Sequence, residues 1–152
     1  MNKAIQLVVF TLDEQRYALH LHAVKRIVRA VEITPLPKAP EIVLGVVNVE
    51  GQVIPVMNLR NRFNLPGREL DVADQLIISQ TSRRIVTLVV DTVSDVIECP
   101  SQAVTDSEKI LPDTEYVEGV LKLSDGLILI HDLDTFLSLE EEESLNKTMK
   151  QI

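Results

Sequence analysis

Gly45-Val46-Val47-Asn48-Val49-Glu50-Gly51-Gln52-Val53-Ile54-Pro55-Val56-Met57-Asn58-Leu59 reads as two short apolar runs around a glycine turn. Val43–Val49 and Gln52–Asn58 are rich in β-branched residues and predict two strands. Glu50-Gly51 is a hairpin turn signal, with glycine able to take a positive φ. The stretch returns as Gly119-Val120-Leu121-Lys122-Leu123-Ser124-Asp125-Gly126-Leu127-Ile128-Leu129-Ile130-His131-Asp132-Leu133, with one residue opened at the turn. There Tyr116–Leu123 and Leu127–His131 flank Ser124-Asp125-Gly126. Phe63 and Phe136 follow the two copies by a few residues. Upstream, His22-Ala23-Val24-Lys25-Arg26-Ile27-Val28 parallels Asp91-Thr92-Val93-Ser94-Asp95-Val96-Ile97, each after a strand–turn–strand unit. Self-similarity at an offset of about half the chain predicts a duplicated structural unit.

Working outward, Ile5–Leu12 reads as a strand, Asp13-Glu14-Gln15 as its turn and Arg16–Leu21 as the return. Lys25–Thr34 reads as a third strand, closed by Pro35 and Pro37. Pro35 to Pro40 is then a loop, because proline removes a ladder donor and restrains the residue before it. Leu59–Leu65 is a short helix ended by Pro66-Gly67, and Arg68–Asp74 a polar linker. The second half gives a strand at Gln75–Gln80, a turn at Thr81–Arg83, a strand at Arg84–Val90 and a short one at Val96–Cys99. Ser101–Thr114 is polar and reads as a loop with a helical turn. Asp132–Leu137 reads as a short helix. Ser138-Leu139-Glu140-Glu141 has the form of a capping box and predicts a terminal helix to about Lys147.

Each half thus carries about five short strands, enough for a small closed or partly open barrel. The expected fold class is all-β: two pseudo-repeated five-stranded barrels, with short helices and a C-terminal helix. The expected organisation is one domain over residues 4–140, with halves of about 4–66 and 74–137, and a helix or tail over 138–152. A half of roughly 70 residues buries a marginal core alone. The two barrels should therefore bury apolar surface against each other and unfold together. Gly45, Gly51, Gly119 and Gly126 are the expected turn and hairpin glycines.

Composition excludes several classes. Of 152 residues, 45% are apolar and 25% charged, which suits a folded domain rather than a disordered chain. No apolar run reaches about 18 residues, so no membrane-spanning helix is expected. The N-terminus enters a strand pattern directly, without the apolar segment and cleavage site of a secretory signal. The single cysteine, Cys99, cannot form an internal disulfide, which suits a reducing cytoplasm. A net charge of −8 and an aromatic content of 3% argue against nucleic acid, which calls for basic footprints and stacking platforms. The start at Met1 and the capped terminal helix favour a free-standing protein over a fragment of a larger kinase.

No residue pattern points to catalysis. His20 and His22 stand at i and i+2, on one strand face, where two histidines can share a metal, but no third ligand is evident. His131-Asp132 is adjacent in sequence only, and adjacent strand residues point apart. Cys99 before Pro100 reads as a small half-buried thiol. Asp91 and Asp95 read as turn-stabilising carboxylates. Glu140–Glu143 suits the first turn of a helix, whose dipole favours acid there. No glycine-rich phosphate loop is present. The expectation is no enzyme, no metal and no cofactor. Val24 and Ile27 read as lying in a short turn segment beside charged residues, as do their counterparts Val93 and Val96, and each is either core or partner-facing.

Phe10-Thr11-Leu12, Tyr17-Ala18-Leu19 and Val24 with Ile27 resemble the opening of the CheW-like domain. Pro40 to Arg60, through Gly45-Val46-Val47-Asn48-Val49-Glu50-Gly51, resembles its central signature. Val89-Val90-Asp91-Thr92-Val93-Ser94-Asp95-Val96 resembles its third block, and Glu118-Gly119-Val120 with Ile128-Leu129-Ile130-His131-Asp132-Leu133 its last. The likeness runs in order from about residue 5 to 137. It implies two intertwined five-stranded β-barrels with a shared core. It also implies a non-catalytic cytoplasmic scaffold that couples chemoreceptors to a CheA-type histidine kinase, in chemotaxis or related two-component signalling. The implied partners are the kinase's regulatory domain and the cytoplasmic tip of a methyl-accepting chemoreceptor, with no nucleic acid and no membrane insertion. The implied receptor-binding residues are Val24, Arg26, Ile27 and Glu50, with Val86, Thr87 and Val96 near a groove between the barrels. Gly45 and Gly51 match family glycines beside this region.

Two positions depart from the family pattern. Arg26 stands where many relatives carry Glu, and Glu50 where the signature usually has Arg. The exchange predicts a reversed ion pair between the two and bears on partner choice. Two rival readings remain: a tandem-barrel module for oligonucleotides, and a small-ligand site in the cleft between barrels.

Overall fold

The computed structural model describes residues 3–106 and 116–150. Its strands are β1 (Ala4–Leu12), β2 (Gln15–His20), β3 (Val24–Arg29), β4 (Val43–Val49), β5 (Gln52–Met57), β6 (Gln75–Gln80), β7 (Ile85–Val90), β8 (Thr92–Pro100), β9 (Val104–Asp106), β10 (Val117–Leu123) and β11 (Gly126–His131). Among the described residues, two α-helices join them, α1 (Leu59–Arg62) and α2 (Leu139–Met149). The strands form two barrel-like sheets. The first runs in the order β8-β1-β2-β11-β10-β9 and the second β3-β6-β7-β5-β4.

The two sheets follow one plan. In each, an antiparallel hairpin (β1–β2 or β6–β7) pairs in parallel with the second strand of another hairpin: β2 with β11, and β7 with β5. The strand after each hairpin crosses to the other sheet, so β3 pairs with β6 and β8 with β1. The sheets are interleaved by this exchange and cannot separate without losing both pairings. The β4–β5 and β10–β11 hairpins take equivalent places. Each has a register shift, at Val43/Gly45 and at Val117/Gly119. A methyl at Gly45 would run into the carbonyl oxygen of Thr34, and one at Gly119 would lie 3.1 Å from that of Thr105. Both turns hold two residues, between Val49 and Gln52 and between Leu123 and Gly126, so the repeat needs no inserted residue.

The apolar runs are continuous rather than alternating because the central strands are covered on both faces. Leu7 and Val9 of β1 join Ala18, Leu121, Ile128 and Ile130 inside the first sheet. Phe10 and Leu12, from the same strand, turn to a larger cluster between the sheets. In β6, Leu76 and Ile78 fill the second sheet with Val47, Ile54 and Val56, while Ile77 faces the shared cluster. The shared core also takes Leu133, Phe136 and the helical Leu145. Helix α2 has the expected capping box: Ser138 accepts from the Glu141 N–H, and Glu141 reaches back to the Ser138 N–H. Arg62 holds Glu141 at 2.7 Å and Arg84 holds Glu142 at 2.8 Å, fixing the helix across the sheets.

Several boundaries differ from expectation. The third strand ends at Arg29, not Thr34, because the Ala30 N–H turns to the Asp74 carbonyl. Thr34 returns to pairing only as an isolated bridge to Val46. β8 begins at Thr92 rather than Val96, since β1 offers it a partner from Thr11 to Ala4. Asp95 therefore stands within a strand, and Val24 and Ile27 lie on β3 rather than in a turn. The short helix after β5 closes at Arg62. Ser101–Ala103 is a single 3-10 turn and Val104–Asp106 a strand; the rest of the expected loop, 107–115, lies outside the described residues, as do 151–152 of the expected tail.

Candidate functional site

β3 and β8 are the exchanged strands, and each is the outer strand of its sheet. They meet at Gln75, which stands opposite Arg29 in register while its side-chain oxygen accepts the Val93 N–H at 2.7 Å. On β3, Val24 packs partly against the shared core, whereas Ile27 is 39% exposed. On β8, Val96 is 50% exposed. Arg26 Nη1 lies 2.9 Å from Glu50 Oε2. β3 and β4 end the strand order on opposite sides, so this ion pair spans the sheet's two edges and shows that the sheet curls round. Both residues of the β4–β5 turn have positive φ, 51° at Glu50 and 86° at Gly51, the geometry of a tight hairpin. The hydrogen bond and charge of Arg26 lower the Glu50 carboxyl pKa, although both side chains face solvent. Val86 and Thr87 are not exposed on this surface: at 1% and 0% exposure they lie inside β7, in register with Val24 and Arg26 across β6, as packing residues behind β3.

A second constellation escaped sequence reading. Asp91, between β7 and β8, accepts from Arg60 at 2.9 Å, from Arg68 at 2.6 Å and from the Asp13 N–H at 2.9 Å. Arg60 also reaches Asp13 at 2.8 Å. Burial alone would raise the Asp91 pKa. The Asp13 N–H and the two guanidinium groups outweigh burial and lower it. The cluster ties the β1–β2 turn to the segment after β5 and so clamps one sheet to the other. It borders an open cleft of about 270 Å³ shared with Ile33, Leu44, Leu70 and Val89. Its arginines and carboxylates are paired with one another, which leaves the cleft with little free charge for a ligand.

His131 is buried at 3% exposure and stacks on Phe63 at 4.3 Å, with Tyr17 and Phe136 beside it. Its Nδ1 lies 3.0 Å from the Tyr116 carbonyl, which can only accept, so Nδ1 carries the proton. Burial pushes the imidazole pKa down to about 4. This is a neutral core histidine, and the repeat had placed it opposite Met57, itself fully buried. His20 ends β2 and His22 sits in a 3-10 turn, not on one strand face; their rings stack at 5.3 Å, and His20 Nε2 meets Glu118 at 2.8 Å. Among the described residues, no group of three or more His, Cys, Asp or Glu could hold a metal ion. Burial raises the Cys99 thiol pKa, away from nucleophilic range.

A family model described as the CheW-like domain matches residues 6–141. The chain belongs to the CheW-like family. It is 31% identical over 145 residues to the chemotaxis protein CheW of Rhizobium meliloti, covering 94% of each chain. It is 30% identical to that of Bacillus subtilis over 91% of this chain and 90% of the relative. The solved scaffolding protein TtCheW from Thermoanaerobacter tengcongensis superposes with a TM-score of 0.82 at 31% identity, covering 91% of this chain and 96% of that one. Membership of the CheW-like family makes the chain a chemotaxis coupling scaffold, and the oligonucleotide and small-ligand readings gain no support. The family is one of non-catalytic adaptors. Among the described residues, no helix is long and apolar enough to cross a membrane.

Proposed function

We propose that this CheW-like chain is a cytoplasmic, non-catalytic adaptor that holds the regulatory domain of a CheA-type histidine kinase and the cytoplasmic tip of a methyl-accepting chemoreceptor at separate surfaces. The observation that carries the receptor side is the exposure of Ile27 on β3, next to Arg26 of the Arg26–Glu50 pair, and of Val96 on β8. Solvent-facing apolar residues on two outer strands that converge are what a helical partner would cover. Val24 contributes by its partial exposure. Val86 and Thr87 support the surface from beneath as packing residues. The reversed Arg26–Glu50 pair tunes which receptor is accepted, because a partner matched to the opposite orientation meets like charges. Holding both partners on one scaffold makes the second contact effectively intramolecular and strengthens assembly beyond either alone.

The test is calorimetry of the chain with each purified partner and with both. Binding of the kinase regulatory domain should survive Ile27→Glu, and binding of the receptor tip should not. Loss of both contacts together, or of neither, would refute separate surfaces.

A further inference from the structure

β3 and β8 each carry one residue too many for the strand they pair with. On β8, Val93 stands opposite Phe10 and Asp95 opposite Val9, so Ser94 is left over. On β3, Val24 stands opposite Ser79 and Arg26 opposite Ile78, so Lys25 is left over. The repeat that aligns Ile27 with Val96 also aligns Lys25 with Ser94, so the two bulges fall at the same place in both copies. Side chains alternate along a strand, and one extra residue reverses the facing of everything beyond it. With the bulge, Val96 stands opposite Val8, while Ile97 and Cys99 stand opposite Leu7 and Ile5 and pack with them inside the first sheet. Closing the bulge from the Thr92 end would bring Val96 opposite Leu7 and turn it inward, with Ile97 sent outward. On β3 the same count sets Val28 opposite Leu76, inside the second sheet, and leaves Ile27 on the other face. Without the offset at Lys25, Ile27 would take the inward place. The exposure of Ile27 and Val96, at 39% and 50%, is therefore a product of the two bulges.

Side chains hold the bulge on β8. The Gln75 side-chain oxygen, from β6 of the other sheet, accepts the Val93 N–H at 2.7 Å. Ser94 Oγ donates to the Val9 carbonyl at 3.1 Å, and the Asp95 carboxylate accepts the Val96 N–H at 2.8 Å. Gln75 also stands opposite Arg29, two residues past Ile27, so one side chain sets β8 against β3. A bulge disrupts the ladder locally, and its recurrence at one point in both copies fits a shared task, the presentation of an apolar side chain. Resting on the receptor reading above, we propose that Gln75 and Ser94 are positioning residues for the receptor contact. They act through Val96: together they hold the bulge that aims it outward, and Gln75 fixes its strand relative to the one that carries Ile27.

Amide hydrogen exchange and calorimetry test it together. Gln75→Leu takes the acceptor from the Val93 N–H, and Ser94→Ala takes the donor from the Val9 carbonyl. In each variant the Val93 amide should exchange about fivefold faster than in wild type, the effect of losing one hydrogen bond. Affinity for the receptor tip should fall by about fivefold or more, while affinity for the kinase regulatory domain stays as in wild type. Gln75→Glu keeps an acceptor oxygen and Ser94→Thr keeps the hydroxyl, so these two should bind the receptor tip like wild type. Thermal melting establishes that each variant folds, and either of Gln75→Leu and Ser94→Ala suffices if the other does not. Unchanged exchange at Val93, equal losses toward kinase and receptor, or no rescue by Gln75→Glu and Ser94→Thr would each overturn the proposal. Ile27→Glu separates the two ways of failing. Receptor binding that survives Ile27→Glu sinks the receptor surface and the proposal with it. Binding lost in Ile27→Glu but kept in Gln75→Leu and Ser94→Ala sinks the positioning role alone.

Discussion

Burial of His131 makes the fold less stable in acid. In the folded chain its imidazole sits among Phe63, Tyr17 and Phe136 with a pKa of about 4; in the unfolded chain it returns to the ordinary value of 6.5. Its folded pKa is depressed, so the folded state resists taking up the proton that the unfolded state accepts. Stability from this residue is therefore complete above pH 6.5, falls as pH drops from 6.5 to 4, and levels off below. The difference of roughly 2.5 pH units corresponds to about 3 kcal/mol. That is a large share of the ~5–15 kcal/mol typical of a domain. Met57 occupies the equivalent place in the other hairpin, so His131→Met is the substitution that this architecture already accommodates. The assay is urea unfolding of wild type and His131→Met at several pH values between 7 and 4. Subtracting the variant's profile removes every other titrating group. The wild type should lose about 3 kcal/mol more than the variant across that window. Parallel profiles would refute the reasoning, because His131 would then be solvated or charged in the folded state.

Leu145→Ala, in the part of α2 that enters the shared core, should cost about 2–5 kcal/mol in denaturant unfolding, while Leu139→Ala, at 65% exposure on the same helix, should cost within about 0.5 kcal/mol. Gly45→Ala combines a positive φ of 155° with a clash against the Thr34 carbonyl and should cost at least about 1–3 kcal/mol, lowering the melting temperature measurably. Arg84→Met strands the buried Glu142 carboxylate and should cost about 3 kcal/mol; adding Glu142→Met should recover most of it, since no unpaired charge is left.

The hairpins were legible because β-branched runs and glycine turns sit at matched positions around Gly45 and Gly119. The exchange of β3 and β8 was legible only through the family likeness, since pairing between distant strands leaves no local mark. The extent of β8 was hidden for a physical reason. Asp91, Ser94 and Asp95 have turn-like composition, yet an outer strand tolerates polar residues on its open side, and β1 supplies the ladder. Asp91 could not reveal its two arginine partners, because Arg60 and Arg68 are brought to it by tertiary folding alone. The burial of His131 was not read from its residue type, though its alignment with Met57 carried the signal of a core position. Arg26 and Glu50 were legible as a pair because two charge reversals coincided, and they meet at 2.9 Å. Val86 and Thr87 were placed at a groove by likeness to relatives, and both side chains are buried within β7 instead.

The central claim is coupling, and the most direct measurement is kinase autophosphorylation in a reconstituted system of receptor, CheA-type kinase and this chain. With the chain present, the kinase rate should rise and become sensitive to receptor ligand. With Ile27→Glu it should fall back toward the rate without the chain, while the chain alone turns over no phosphate. A kinase that binds receptor and responds to ligand equally well with and without the chain would contradict the account.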